Sequence, residues 1–214
     1  MRVLTSVPSR SVDAIATRIF DIVVSLLALV MIAPLLLMVA VIILLTDTGP
    51  IFFSQRRVGR GGQLFSCYKF RSMVTDADNR LAEYLMKFPE ARAEWDRDHK
   101  LRSDPRITGI GRFLRKSSID ELPQLFNVLR GDMSLVGPRP IVPGEIVRYG
   151  RYIADYCAVK PGITGLWQVS GRNDVSYRRR VALDTCYARS RSLWFDLRIV
   201  AKTIPAVLLA SGSY

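Results

Sequence analysis

One long apolar run dominates the hydrophobic pattern of the chain. From Ile22 to Thr46 there are 25 residues without a single charge. As a straight α-helix this run would be about 38 Å long, enough to cross the roughly 30 Å hydrocarbon core of a bilayer. It is too long for the apolar core of a signal peptide, and no small-residue cleavage site follows it. The pattern predicts a retained membrane segment over residues 18–46, preceded by a polar tail over residues 1–17.

A proline lies near the middle of this run. Pro34 lacks a backbone N–H, and its ring clashes with the preceding turn, so a helix is expected to break or kink there. Basic residues flank the run on both sides: Arg10 and Arg18 before it, and Arg56, Arg57 and Arg60 after it. Positive charge on both sides favours a course with both ends on the cytoplasmic face. Two alternatives stay open: a kinked single span, and a re-entrant helix hairpin broken at Pro34.

The rest of the chain, residues 47–214, is long enough for one small globular domain. Alternating apolar residues around Leu64–Met73 follow a glycine-rich turn and predict a short strand or hairpin. Residues 76–104 have mixed charge and predict one or two amphipathic surface helices around Pro89. Residues 192–209 combine aromatic and basic side chains and fit an interfacial helix or a core helix equally well. The predicted fold is α+β and predominantly helical: a re-entrant membrane helix, one small cytosolic domain with amphipathic interfacial helices, and a short β element.

Composition adds a strong positive charge to this picture. The chain has 31 Lys and Arg against 19 Asp and Glu, a net charge of +12, although 49% of its residues are hydrophobic. This combination excludes a disordered tail and favours contact with lipid, nucleic acid or phosphorylated ligands. Three cysteines without CxxC spacing and one histidine argue against a disulfide framework and a Cys- or His-based metal centre. The chemistry is left to carboxylates, Lys, Arg and a hard metal ion.

The most informative stretch runs from Arg112 to Gly131. Four apolar residues have the spacing of one helix face: Leu122, Leu125, Phe126 and Leu129. Because Pro123 is tolerated only in a first turn, the helix is predicted to begin near Asp120, and Gly131 is predicted to end it. Asp120 and Glu121 are thereby expected at the positive end of a helix.

Two roles for this acidic pair stay open from the residues alone. The carboxylates could cap the helix, with help from Ser117 or Ser118, for a stabilisation of about 1 kcal/mol. Alternatively, a helix N-terminus among cations is typical of a phosphate-binding site, in which two carboxylates serve as nucleophile and Mg²⁺ ligand. The nearby cations are Arg106, Arg112, Arg115, Lys116, Arg139 in the rigid turn Gly137–Pro140, Lys160 and Arg172.

The run Ser118–Pro140 resembles the signature of the bacterial sugar transferases, the monotopic polyprenyl-phosphate phosphoglycosyl transferases. The resemblance extends over nearly the whole chain from Arg18 onwards. It includes Arg18–Asp21, Tyr68–Met73, Asp104–Thr108, Lys160–Gly165 and Trp167–Asn173. The C-terminal part is most similar to the exopolysaccharide-production branch, which transfers galactose 1-phosphate.

The resemblance implies a priming reaction at the cytoplasmic face of the bacterial inner membrane. A UDP-hexose would give its hexose 1-phosphate, with galactose favoured over glucose, to undecaprenyl phosphate and release UMP. Asp120 would be the nucleophile, forming a covalent aspartyl phosphosugar intermediate, and Glu121 would bind Mg²⁺. Substrate- and phosphate-binding roles are implied for Lys69, Arg115, Arg139, Arg172 and Asp184.

Two rival classes of protein are weighed against this interpretation. The positive charge suggests a nucleic-acid-binding protein, but no helix-turn-helix, aromatic strand motif or zinc spacing accompanies it, so no nucleic-acid partner is expected. A non-catalytic membrane scaffold with the same fold stays an alternative. The oligomeric state is also open, with a homo-oligomer among the options.

Overall fold

The computed structural model describes residues 11–98, 101–171 and 175–208. Its first element, α1 (Ser11–Thr46), is one α-helix of 36 residues that begins inside the predicted polar tail. The helix continues through Pro34, so the break predicted there is not present. A proline inside a helix removes one N–H···O bond and bends the axis, but the long apolar runs on both sides keep the helix going.

Both halves of α1 contact the rest of the chain. In the N-terminal half, Arg18 donates to the carbonyl oxygens of Val128 and Leu129 at 2.6 and 2.7 Å. One turn later, the buried Asp21 accepts hydrogen bonds from Ser134 Oγ and Leu135 N at 3.0 and 2.9 Å. In the C-terminal half, buried apolar side chains form one cluster with the domain: Val39, Ile43, Phe70 and Leu114. The helix is therefore attached near both of its ends.

The opposite face of α1 is apolar and exposed. Met31 is 80% exposed, and Val30 and Leu37 are each 68% exposed. Within the described residues, Asp13–Thr46 is the one helix that is long and apolar enough to cross a membrane, judged by length and composition. An apolar surface of this extent favours a lipid environment over water.

The predicted hairpin is present. Strand β1 (Phe52–Val58) pairs antiparallel with β2 (Leu64–Phe70), and Gly61 and Gly62 in the connecting turn have positive φ angles. A second, unpredicted ladder joins β3 (Ser134–Val136) in parallel to β4 (Gly162–Thr164). The backbones approach so closely there that a Cβ on Gly137 or Gly162 would collide with the facing strand.

Nine further helices complete the described fold. They are α2 (Ala77–Lys87), α3 (Pro89–Asp98), α4 (Gly109–Lys116), α5 (Gln124–Arg130), α6 (Ile146–Tyr149), α7 (Ile153–Ala158), α8 (Leu166–Val169), α9 (Tyr177–Ser190) and α10 (Leu193–Leu208). The helices predicted on either side of Pro89 are confirmed. In α10, Asp196 and Ile199 are buried whereas Trp194 is 64% exposed, so one helix contributes to the core and also presents an apolar side outward. The fold is predominantly helical with a few short strands.

Helix α5 differs from its prediction in two respects. It begins at Gln124, and Ile119–Glu121 form a separate 3₁₀ turn before it. Its buried face also includes Asn127, whose side chain accepts from Tyr68 N and donates to Ser66 O, while Phe126 is 44% exposed. A polar residue is buried because it binds the β2 backbone. The predicted end at Gly131 is confirmed by a φ angle of 92°.

Candidate active site around Asp120 and Glu121

The 3₁₀ turn carries the acidic pair to the end of strand β2. Ser118, in the left-handed region at φ 58°, reverses the chain after α4 and directs the turn inward. The Lys69 ammonium lies 2.5 Å from Glu121 Oε1 and 4.0 Å from Asp120 Oδ2. Asp120 is 7% exposed, whereas the Glu121 side chain is 34% exposed. One lysine from the hairpin therefore faces both carboxylates.

Helix capping does not account for this pair. The N-cap positions of the 3₁₀ turn and of α5, Ser118 and Pro123, make no side-chain capping bond. Ser117 Oγ donates back to the Phe113 and Leu114 carbonyl oxygens instead. The hydrogen bond of the Glu121 side chain goes to Lys69, on another element. Helix capping, which the sequence left open, is therefore not the role of these side chains.

Burial dominates the electrostatics of Asp120. It raises the pKa of this carboxyl to about 6, with Glu121 adding to the rise and with Lys69 and Arg115 opposing it. The cations therefore hold the pKa down less than burial raises it. At pH 7 the ionised form still outnumbers the protonated form by roughly ten to one. Arg115 is fixed by a 2.8 Å hydrogen bond from its Nε to Ser72 Oγ.

Glu121 has the opposite shift. Burial alone would raise its pKa, but Lys69, Arg139 and Arg57 together bring it below the ordinary value. The two neighbouring carboxyls are thereby driven apart in pKa, which is typical of pairs with different chemical roles. Glu121 stays ionised across the physiological range, while Asp120 titrates near its lower edge.

The donor set at this position suits a magnesium ion that is completed by a substrate. Among the described residues, no three Asp, Glu, His or Cys side chains lie close enough together to hold a metal ion by themselves. Mg²⁺ in phosphate-transfer sites is commonly held by one or two carboxylates, together with phosphate oxygens and water. The ionised, partly exposed Glu121 beside Asp120 fits that pattern.

Two arginines extend the positive surroundings. Arg57, which the sequence interpretation did not place in the site, donates to the Pro140 carbonyl oxygen at 3.0 Å and to Gln55 Oε1 at 2.6 Å. Arg139, which it did place there, lies in the rigid turn with its guanidinium 6.0 Å from the centre of the Trp167 ring. A double arginine on a strand next to a glycine turn is the sequence signal that could have identified Arg57.

Asp184 belongs to a second cluster of polar residues. Its carboxylate is 1% exposed and accepts a 2.7 Å hydrogen bond from the Tyr149 hydroxyl. Arg180, one helical turn earlier, places Nε 3.9 Å from the same oxygen. Burial raises the pKa of Asp184 to about 6, although Tyr149, Arg180 and Arg139 oppose the rise. The charge of Arg139 favours the ionised form of both Glu121 and Asp184, so the second cluster adjoins the acidic pair.

Arg172, a predicted substrate-binding residue, lies outside the described residues. Arg180 and Trp167 were not predicted as site residues, although the i, i+4 spacing of Arg180 and Asp184 was a usable signal.

The acidic pair lies close to the apolar helix α1. Phe70 and Ile119, the neighbours of Lys69 and Asp120 in the chain, pack in the same cluster as Val39 and Ile43 of α1. Val39 is seven residues before the end of α1, a rise of about 10 Å. The site is therefore located beside the last turns of the apolar helix.

Comparison with known proteins gives a consistent picture. The family described as "Bacterial sugar transferase" matches residues 12–210. The chain is 51% identical to the undecaprenyl-phosphate galactose phosphotransferase of Salmonella typhimurium, over 100% of this chain and 44% of that protein. It is 50% identical to the exopolysaccharide production protein ExoY of Sinorhizobium fredii, over 96% of this chain and 91% of that protein. It is 41% identical to the undecaprenyl-phosphate glucose phosphotransferase of Komagataeibacter xylinus, over 100% of this chain and 40% of that protein.

The chain spans less than half of the Salmonella and Komagataeibacter proteins and about nine-tenths of the Sinorhizobium protein. The matched range contains the acidic pair, the cations around it and the Asp184 cluster. The similarity covers nearly the whole chain. The chain therefore belongs to the bacterial sugar transferase family.

Proposed function

We propose that this chain transfers hexose 1-phosphate from a UDP-hexose to undecaprenyl phosphate and releases UMP, as a priming step of exopolysaccharide synthesis. The observation that carries the proposal is the buried Asp120 next to an ionised Glu121, with Lys69 facing both. The printed names of the relatives support the lipid acceptor and the exopolysaccharide product. Relatives named for galactose or galactosyl transfer are 48–51% identical and those named for glucose 41%, which favours galactose 1-phosphate.

In the first step, an ionised Asp120 oxygen attacks the β-phosphorus of the donor. The bond from that phosphorus to the bridging oxygen breaks, and UMP leaves with the electron pair. The product on the enzyme is an acyl phosphate that carries the hexose. Lys69, Arg115 and Arg139 are the cations that would neutralise charge on the phosphate oxygens in the transition state.

In the second step, an oxygen of undecaprenyl phosphate attacks the same phosphorus. The Asp120 carboxylate leaves, so the enzyme is regenerated and the lipid-linked diphosphate sugar departs. Splitting the transfer in this way avoids holding two multiply charged phosphates in the site at once. The position of the site beside the last turns of α1 suits an acceptor whose phosphate lies at headgroup depth.

Mg²⁺ would be held by Glu121. When bound, it supplies positive charge to the oxygens of the donor diphosphate. Glu121 suits this task because its pKa is below the ordinary value, so no proton has to leave before the metal binds.

For the membrane geometry, we propose a re-entrant course in which α1 enters one leaflet and returns. A straight helix crossing the bilayer would carry its far end about 38 Å away over 25 residues. Contacts of the same domain with Arg18 near one end and Ile43 near the other favour a bent course. The domain would then remain on the cytoplasmic face.

Cysteine labelling tests this topology. Cysteines introduced by Ser9→Cys and by Thr48→Cys should both be protected from a membrane-impermeant maleimide applied from the periplasm. The same cysteines should react after the cells are permeabilised. Labelling of only one end in intact cells would establish a full crossing and contradict the re-entrant course.

A single-turnover experiment tests the covalent step. The purified enzyme with Mg²⁺ and UDP-galactose, without acceptor, should release about one UMP per protein and gain the mass of a hexose phosphate at Asp120. UDP-glucose in a parallel reaction should be the slower donor. UMP release that requires undecaprenyl phosphate, with no adduct after rapid quenching, would indicate direct transfer without the covalent intermediate. Complete absence of UMP release under all conditions would favour the scaffold alternative.

A further inference from the structure

The cluster around Asp184 contains several buried polar atoms without a partner. In the part of the chain that the structure describes, Trp167 Nε1, Arg180 Nε and Nη2, and Asp184 Oδ1 make no hydrogen bond. Trp167 is 6% exposed, Arg180 9% and Asp184 1%. Such atoms are rare in native interiors because a buried polar atom without a partner has lost its hydrogen bonds to water and gained none in return. Three neighbouring residues with this property indicate a site that is built for a polar ligand.

The aromatic faces of the cluster are already covered. The Arg180 guanidinium lies 5.1 Å from the centres of both the Trp167 and Tyr177 rings. Arg139 lies 6.0 Å from the Trp167 ring, and Arg148 lies 5.0 Å from the Tyr177 ring. Little ring surface is therefore left in the cluster on which a flat nucleobase could stack. What it offers is an edge of donors next to one carboxylate acceptor, which matches hydroxyl groups that donate and accept.

The free atoms of Arg180 and Asp184 are held in place by other residues. The Tyr149 hydroxyl binds Asp184 through Oδ2, so the free oxygen is Oδ1. Arg180 Nη1 forms an ion pair with Glu145 Oε1 at 3.8 Å, and the buried Nε and Nη2 have no hydrogen-bond partner among the described residues. The Arg180–Asp184 separation of 3.9 Å is likewise an ion-pair distance, too long for a hydrogen bond.

The cluster is also connected to the acidic pair. Glu145 lies between Arg180 and Arg57, whose Nη1 is 3.9 Å from Glu145 Oε2. The positive charges of Arg57 and Arg139 both lower the pKa of Glu121, and that of Arg139 also opposes the raised pKa of Asp184. The two arginines therefore link the charges of the acidic pair to those of the cluster.

The geometry points to the Asp184 cluster as the subsite that reads the hydroxyl groups of the transferred hexose, with Asp184 accepting and Trp167 and Arg180 donating hydrogen bonds. This inference rests on the proposed function. Asp184 and Arg180 bind one hydroxyl between them, and the Trp167 N–H binds a neighbouring one. The direction of one hydroxyl is what distinguishes galactose from glucose, so the cluster contributes to the choice between these epimers.

Trp167→Phe is the sharpest variant, because it removes the unpartnered N–H and keeps an aromatic ring between the two guanidinium groups. We expect kcat/KM for the preferred UDP-hexose to fall by roughly two- to tenfold, the range of one lost hydrogen bond. The ratio of rates with UDP-galactose and UDP-glucose should move towards one. Inhibition by UMP, which carries no hexose, should be unchanged. Trp194→Phe is the matched control, since Arg198 lies 5.3 Å from that exposed ring, and it should leave the ratio unchanged.

Asp184→Asn gives an independent test in case the tryptophan variant folds poorly, because an amide can still accept the Tyr149 bond. It too should lower the donor ratio and spare UMP inhibition. If either folded variant weakens UMP inhibition as much as donor turnover, the cluster binds the uridine part and the inference is wrong. An unchanged ratio in folded variants would assign the cluster a structural role. If the wild-type protein releases no UMP from any UDP-hexose, the proposed function fails, whereas the outcomes above leave it intact.

Discussion

Asp120 and Asp184 share one property and differ in almost every other. Burial raises the pKa of each carboxyl to about 6. Asp184 is 1% exposed and accepts a hydrogen bond from the Tyr149 hydroxyl, whereas Asp120 is 7% exposed and its carboxylate accepts from the backbone N–H of the same residue. Asp120 instead faces Lys69 at 4.0 Å and has an ionised carboxylate next to it. A raised pKa therefore marks both positions, but at Asp184 a tyrosine hydroxyl holds one carboxylate oxygen, whereas the side chain that faces Asp120 is a lysine 4.0 Å away.

The difference shows how one fold separates reactivity from recognition. At Asp120 the cation neutralises charge without fixing the carboxylate, which leaves it free to form a bond to phosphorus. At Asp184 the tyrosine fixes one oxygen and aims the other, which is what selective binding of a hydroxyl requires. The charge of Arg139 favours the ionised form of Glu121 beside the nucleophile and of Asp184 in the second cluster, so one arginine connects the two regions.

The largest expected effect comes from Asp120→Asn. An amide of the same shape removes the nucleophile and a buried charge, so we expect UMP release to fall about 10³-fold or more while the melting temperature holds or rises. UMP release and thermal unfolding in detergent measure the two quantities. Asp184→Asn is the contrast and should retain turnover within about tenfold. Equal loss in both variants would erase the distinction between the two aspartates.

Lys69→Met should have the next largest effect. Without the ammonium, two carboxylates face each other and the pKa of Asp120 rises further, so less nucleophile is ionised at pH 7. We expect about 10- to 100-fold lower kcat/KM at pH 7, with partial recovery towards pH 9. Lys87→Met on α2, which lies outside the acidic pair, is the matched control. A uniform loss at all pH values would mean that Lys69 acts only by binding substrate.

The pH profile of the wild-type enzyme distinguishes the two aspartates directly. If Asp120 must be ionised, kcat/KM falls about tenfold per pH unit below pH 6, since the pKa of this carboxyl is raised to about 6. The same acid limb should persist in Asp184→Asn. Loss of the limb in that variant would assign the titration to Asp184 and contradict the nucleophile assignment.

Parts of this arrangement were predictable because they depend on local chemistry. The turn glycines predicted the β1–β2 hairpin, and Gly131 predicted the end of α5. These features follow from backbone freedom at a few residues.

The rest depends on contacts between distant parts of the chain. Asn127 is buried because its amide binds the backbone at Ser66 and Tyr68, about sixty residues earlier. The β3–β4 ladder is likewise set by packing that no local pattern encodes. Trp167 resembles a core residue in the sequence, and only its buried Nε1 without a hydrogen-bond partner in the described structure identifies it.

A third buried aspartate, Asp196, provides a case in which a raised pKa should affect stability but not activity. Asp196 in α10 is 1% exposed, accepts from the Tyr187 hydroxyl at 2.7 Å, and has its pKa raised to about 6 by burial. Because the folded pKa exceeds the unfolded one, its stabilising contribution is complete at low pH and is lost as the pH rises through about 6. Asp196→Asn stays neutral, so its advantage in melting temperature over the wild type should grow by a few degrees between pH 4 and pH 7.

Thermal unfolding at both pH values measures this advantage, and the exposed Asp76→Asn provides the control for loss of an aspartate. UMP release by Asp196→Asn should stay close to wild type, because Asp196 contacts neither Lys69 nor the Asp184 cluster in the described structure. An advantage that does not change with pH would mean that burial does not raise the pKa of Asp196 in the folded protein. Since the same cause is assigned to Asp120, that result would also remove the burial argument for the pH profile of the nucleophile.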